Sequence, residues 1–275
     1  MKVDLHVHTT ESDGMQSIEE VVSIAHENQV QILGVTDHES TGGIAKAQKL
    51  AETLQMRIMP GLEFVTTYRD VEVHLLGYFN HVDHPVLQSR LKEIRQQRTA
   101  LAYDMVEQLQ RSDINITWQE VEKEIHAEVA VSKGHIMRAI YKKETGSNRN
   151  WRRISAFFRP GGVAYLPFRE HRFQDAADLI FACGGLPVIA HPGLLSRPEI
   201  IFDLLAYRPM GLEVYYGYWE NRQKLVSYYA EMAEKSALLA TGGSDYHGPG
   251  GFIQIGQMEV PMTCVEKLQA YLAGV

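Results

Sequence analysis

The sequence predicts an α/β protein, a parallel sheet closed into a barrel and interrupted by an inserted, mainly helical segment. Three observations carry this expectation. Short apolar strand patterns alternate with amphipathic helix patterns along most of the chain, the rhythm of repeated βα units. Residues 85–161 break that rhythm with a run of helices. Imidazoles and carboxylates recur where the strands end, and a barrel gathers its functional side chains at the C-terminal ends of its strands.

Taken in order, residues 2–8 alternate as a strand does. In "SIEEVVSIAHEN" the apolar residues fall at helical spacing, and Ser17 with Glu20 forms a capping-box pair. "ILGVTDH" (32–38) reads as a buried strand and 41–54 as a helix. "RIMPGLEFVTT" and "EVHLLGYF" read as two strands joined by a polar turn around Arg69 and Asp70. At Pro85 the texture changes to a long, polar, Arg-rich helix over 85–111, with proline well placed in its first turn. Further helices begin at Thr117, where Glu120 completes a second capping box, and at Ser132. The rhythm then returns. "GGVAYLPF" (161–168) is expected as a strand, 173–183 as a helix ending at Gly184 and Gly185, and "LPVIAHPG" (186–193) as a strand. The remaining expectations are a strand at 210–216, a helix at 219–235, a strand running into a turn over 237–248, and a helix from Thr263. The barrel would thus comprise residues 1–84 and 162–275, and the insertion residues 85–161.

With 275 residues, 45% hydrophobic and 22% charged, the chain can bury one large core. No apolar run approaches the roughly 20 residues that span a bilayer, and no charged-then-apolar leader suggests secretion. Two cysteines, Cys183 and Cys264, lie far apart in apolar surroundings, which disfavours a disulfide framework. A cytoplasmic protein is expected. The net charge of −7 is uneven: residues 86–170 hold 15 basic and 10 acidic side chains, leaving 12 and 24 for the rest. A basic segment in an acidic chain fits either a solvated helical surface or an anionic substrate.

Nine residues form the candidate ligand set: His6, His8, Asp13, His38, Glu63, His74, His191, Asp245 and His247. Residues i and i+2 of a strand share a face, so His6 and His8 can turn toward one ion, and Asp245 with His247 repeats that spacing. Imidazoles mixed with carboxylates, without thiolates, suit Zn²⁺, Mn²⁺ or Fe²⁺ better than Ca²⁺ or Mg²⁺. Asp37, beside His38, fits either a carboxylate that orients a ligand imidazole or a plain turn residue. His26, His81, His84 and His126 fall in no such pattern.

The stretches "DLHVHTTESDG", "VTDHES", "PGLE", "VHLLGY", "AHPG" and "TGGSDYHG" resemble the ordered motifs of the PHP (polymerase and histidinol phosphatase) superfamily, from residue 4 to residue 248. The resemblance implies a distorted (β/α)7 barrel holding three divalent metal ions at its C-terminal mouth. It implies that His6, His8, Glu63 and Asp245 hold one ion, Asp13, His38 and His247 a second, and Glu63 (bridging), His74 and His191 a third. Three such ions against three carboxylates leave a site of roughly +3, a trap for a phosphate dianion. A metal-activated hydroxide is then the expected nucleophile, with manganese the ion expected to support activity best. Ser244 lacks the strand–elbow–helix setting of a nucleophile.

The insertion carries "VAVSKGHIMRAIYKKETG". This resembles the PHP subgroup that removes the 3′-phosphate from nucleoside 3′,5′-bisphosphates, some members of which also trim short RNA from its 5′ end. Lys133, His135 and Arg138 then become candidates for binding a second phosphate, with His135 a candidate acid for the leaving oxygen or simply a helix cap. Lysine at 133 replaces an arginine usual in that subgroup and loses its two-pronged grip on phosphate. Arg169 and His171, with Arg172, are weaker candidates for the same task. Tyr215, Tyr216 and Tyr218 suit either base stacking or the core. The expected partner is a small phosphorylated substrate, a nucleotide or short oligoribonucleotide, with no membrane and no stable protein partner. Alternatives are a histidinol-phosphate phosphatase, a metal-dependent exonuclease on short RNA or DNA, and a non-catalytic nucleotide-binding module.

Overall fold

Strand β1 (Lys2–Val7) is buried on both faces, and the two faces differ in kind. Val3 and Leu5 join one apolar cluster and Val7 another, while Asp4 and His6 are fully buried on the other side. A strand can bury polar groups only where partners satisfy them, so this inward face already marks a polar barrel interior. The computed structural model describes residues 1–125, 129–146 and 150–275. His126 lies outside them.

Seven strands form one sheet in chain order. β1, β2 (Val30–Val35) and β3 (Arg57–Tyr68) run parallel, as do β5 (Leu186–Ile189), β6 (Gly211–Tyr216) and β7 (Ala240–Gly243). The end of β7 returns to β1: the Asp245 N–H donates to the His6 carbonyl at 2.8 Å, and the His8 N–H to the Tyr246 carbonyl at 2.9 Å. The barrel is therefore nearly closed.

The expectation of an all-parallel sheet is corrected at β4 (Val71–Tyr78), which runs antiparallel to both β3 and β5. Arg69 and Asp70 both have positive φ, 47° and 62°, the twist-matched geometry of a two-residue hairpin. A second correction concerns residues 161–168, which form turns over 161–164 and irregular chain over 165–168 instead of a strand. Gly161 has φ +84°, and a Cβ on Gly162 would meet the carbonyl oxygens of Ala156 and Phe157 at 2.3 and 2.4 Å. Folded so tightly against the preceding helix, this stretch cannot extend into the sheet.

Helices α1 (Ile18–Glu27) and α2 (Ile44–Thr53) cover the first strands. The Ser17–Glu20 and Thr117–Glu120 capping boxes both form. Residues 85–161 contribute α3 (Pro85–Arg111), α4 (Trp118–Glu122), α5 (Lys133–Lys143) and α6 (Trp151–Ala156). α3 serves two cores. Leu87, Leu91 and Ile94 pack on the barrel, whereas Met105, Val106 and Leu109 pack with α5 and α6 through Ile136, Ile140 and Ile154. Arg98, between these stretches, is buried against the fully buried Glu39 of the barrel. α7 (Phe173–Ala182), α9 (Arg222–Lys235) and α10 (Met262–Ala273) match the expected helices. α8 (Ile201–Tyr207), short and preceded by two 3₁₀ turns, was not anticipated. Among the described residues no helix is long and apolar enough to cross a membrane.

Candidate metal centre

All nine candidate ligands come together at the mouth of the barrel, around Glu63. Its Oε2 lies 3.1 Å from both His6 Nε2 and His8 Nε2 and 3.5 Å from His38 Nδ1. Its Oε1 lies 2.9 Å from His74 Nδ1 and 3.1 Å from His191 Nε2. Asp245 Oδ1 is 3.3 Å from His6 Nε2 and 3.2 Å from His8 Nε2. Asp13 Oδ1 is 3.3 Å from His247 Nε2 and 3.9 Å from His38 Nε2. Three overlapping donor sets have ligand atoms within 4.8 Å of one another: His6, His8, Glu63 and Asp245; His8, Asp13, His38 and His247; and His38, Glu63 and His74. His191 reaches Glu63 but belongs to none of them.

The donor chemistry fits cations. Glu213, buried in β6, faces His6 Nδ1 at 2.9 Å. With Nδ1–H donated there, His6 turns its Nε2 toward the carboxylate oxygens of Glu63 and Asp245, so either a proton or a metal cation must sit between them. Lone pairs facing lone pairs need a positive charge between them. Asp13 Oδ1, Asp245 Oδ1 and His38 Nδ1 are buried with no hydrogen-bond partner, and orphaned polar atoms of that kind call for an ion.

Protonation follows from the same crowding. Burial alone would lower the His8 and His74 imidazoles, but facing carboxylates outweigh it and raise each to about 10. His6 is raised well above its ordinary value against burial, by Glu213, Asp245 and Glu63. Burial drives His38 well below its ordinary value. Burial opposes ionisation of Glu63 and Asp13, yet the surrounding imidazoles hold both carboxyls well below the usual range. Protons thus balance the carboxylates, and divalent ions would replace them.

Backbone geometry aims the ligands. His191 and Asp245 adopt positive φ, 28° and 53°, rare for side chains other than glycine and concentrated at functional sites. The His191 N–H is held by Glu213 at 2.7 Å, so one carboxylate fixes two candidate ligands. Tyr216 donates to Asp245 Oδ2 at 2.8 Å. Asp37 accepts from the Thr9 N–H and hydroxyl at 2.7 and 2.8 Å and from Ser12 Oγ at 2.5 Å. Ser12 Oγ in turn lies 3.5 Å from His8 Nδ1. Asp37 therefore braces the turn behind His8 and does not touch a ligand imidazole itself.

The insertion meets the cluster at the N-terminus of α5. Ser132 Oγ donates to Asp13 Oδ2 at 2.7 Å, and Arg138 Nη1 donates to the Asp13 carbonyl at 2.5 Å. His135 Nδ1 accepts from the Ser132 N–H at 3.1 Å, closing a capping box with imidazole in place of carboxylate. Burial and the nearby Arg138 and Arg98 hold His135 down at about 4, against the pull of Asp13. It is neutral near pH 7, with its proton on Nε2. Lys133 pairs with Glu72, whose Oε1 lies 3.5 Å from His74 Nε2. Arg169 is exposed and paired with Asp70 at 2.8 Å. His171 is 1% exposed, donating from Nδ1 to the Val65 carbonyl at 3.0 Å, edge-on to Phe64 and Phe168. Among the described residues no hydrogen bond or ion pair joins Arg169 or His171 to the cluster, so the role in phosphate binding expected of them finds no geometric support. Tyr218 is buried, its hydroxyl accepting from the Gly193 N–H.

Glu213, Glu39, Glu72 and Ser132 were missed by sequence reasoning. The signal for Glu213 is a lone acid in the otherwise apolar strand "GLEVYY".

A family model described as "PHP domain" matches residues 4–166. A phosphoribosyl 1,2-cyclic phosphate 1,2-diphosphodiesterase of Eggerthella lenta is 29% identical over 94% of this chain and 98% of its own length. A 3′,5′-nucleoside bisphosphate phosphatase of Chromobacterium violaceum is 29% identical over 95% of this chain and 93% of its own. The solved structure of a Chromobacterium violaceum amidohydrolase, with sulfate bound and no metal, superposes with a TM-score of 0.88 at 28% identity, covering 98% of this chain and 97% of that one.

Proposed function

Since the chain belongs to the PHP domain family, we propose that it is a metal-dependent phosphoesterase that removes the 3′-phosphate from nucleoside 3′,5′-bisphosphates. The observation that carries this is the convergence on Glu63 of imidazoles from strands far apart in sequence, with orphaned carboxylate oxygens beside them. We assign three divalent ions to the three donor sets, with manganese the best fit for activity. Bound there, divalent ions supply Lewis acidity and lower the pKa of water toward neutrality.

The chain's own residues do the rest. Glu63 and Asp245 anchor the ions, and Glu213 holds His6 and His191 in register. His135, neutral with its proton on Nε2, suits hydrogen bonding to a phosphate oxygen. A group with a pKa of about 4 is a poor reservoir for the proton a leaving oxygen needs near pH 7. Lys133 is half-buried and paired with Glu72, and its remaining ammonium donors supply the contact to the second phosphate. Arg138 already spends a donor on Asp13, so its removal would disturb metal binding as well as recognition.

A panel of phosphate esters tests the reading. Adenosine 3′,5′-bisphosphate should be cleaved at the 3′ position in preference to histidinol phosphate and nitrophenyl phosphate. Lys133→Ala should lower kcat/KM for the bisphosphate by roughly tenfold, the loss of one charge-assisted contact, with a smaller effect on the nitrophenyl ester. Preferred cleavage of histidinol phosphate would overturn the assignment.

A further inference from the structure

The loops after β6 and β7 hold two large aromatic side chains that packing leaves in solvent. Trp219 is 60% exposed and Phe252 is 65% exposed, and their ring centroids lie 3.8 Å apart. Both loops belong to the mouth. Tyr216, three residues before Trp219, donates to Asp245, and His247 opens the segment that leads to Phe252. The loops are wedged together, since a Cβ on Gly217 would lie 2.4 Å from Ile253 Cγ1. From the insertion, Arg152 sets its guanidinium 5.9 Å from the Trp219 ring centroid. The loops after β6 and β7 and helix α6 therefore meet in a rim of two rings and one cation on the side of the barrel where its strands end.

Single exposed hydrophobic residues need no explanation, but a paired, cation-flanked aromatic surface at a site for phosphate esters suits one ligand chemistry. Planar apolar faces with an adjacent guanidinium take a nucleobase by stacking and cation–π attraction. A phosphoribosyl group without a base has no flat face to offer. We infer that Trp219, Phe252 and Arg152 form a base-stacking rim that makes the site selective for nucleotides over base-free sugar phosphates. This rests on the phosphoesterase reading and decides between the substrate types of two relatives that are equally similar, at 29% identity each.

Calorimetric titration of the manganese-loaded protein with adenosine 5′-monophosphate and with ribose 5-phosphate tests it without turnover. The nucleotide should bind at least tenfold more tightly, about 1.4 kcal/mol. In Trp219→Ala and in Phe252→Ala that advantage should fall below threefold, while Trp219→Phe should keep most of it. Equal affinities in the parent, no binding of the nucleotide, or an advantage unchanged in both alanine variants would each overturn the inference. Failure of the phosphoesterase reading is separate, because it shows as the absence of hydrolysis of any phosphate ester whatever the binding preference.

Discussion

Glu213 shows how much one buried carboxylate can control. Its Oε1 faces His6 Nδ1 and its Oε2 receives the His191 N–H, so two of the nine candidate ligands depend on it. Glu213→Gln keeps the shape but leaves one oxygen to do the work of two. Removing such an orienting partner typically costs 10- to 100-fold in metal affinity. Competition against a chromophoric chelator should show a loss of that size for Glu213→Gln with the fold intact; unchanged affinity would remove Glu213 from the site. The nine candidate ligands stand out in the sequence because each carries the side-chain chemistry of a ligand and most fall at or near a strand end, although Glu63 and His74 lie inside β3 and β4. Glu213 and Glu72 were not, because their importance lies in contacts with residues distant in the chain. For His135 the sequence left acid, anion binder and cap open, and the Ser132 N–H on Nδ1 decides its tautomer.

At the scale of elements, helix α5 reaches the candidate metal centre. The first turn of α5 touches Asp13 through Ser132, and Gly134 leaves the room that contact needs: a Cβ there would lie 2.7 Å from Asp13 Oδ2. Gly134→Ala should improve helix propensity by up to about 1 kcal/mol and still impair the enzyme by displacing Asp13. We expect an unchanged or higher Tm with at least tenfold lower activity; full activity would show that Asp13 can yield without consequence. The elements themselves were readable where caps and periodicity agreed, as in α1 and α4. The reading failed at 161–168, where "GGVAYLPF" has strand composition but backbone contacts at Gly162 force a turn. It also missed the direction of β4, because alternation gives a strand and says nothing about which way its neighbour runs.

For the molecule as a whole, the barrel holds a polar interior that is costly to bury, and its stability should vary with pH accordingly. His171 is clear of the ligand cluster and gives a clean handle, its imidazole lowered by burial to about 4, against the pull of the Val65 carbonyl. Above pH 6.5 it is neutral whether folded or unfolded. As the pH falls from 6.5 toward 4, the unfolded chain takes up a proton that the folded chain refuses, so stability drops, by up to about 3 kcal/mol from this group. Urea unfolding across that window should show a shallower decline for His171→Gln than for the parent; parallel curves would contradict the burial of a neutral ring. The central claim is that the gathered imidazoles and carboxylates form a metal centre that hydrolyses phosphate esters. The most direct test strips the protein with chelator, returns Mn²⁺ stepwise, and follows bound metal per chain together with phosphate released from adenosine 3′,5′-bisphosphate. We predict near-complete loss of activity on stripping and recovery that tracks two to three bound ions per chain, whereas full activity in the metal-free protein would contradict the account.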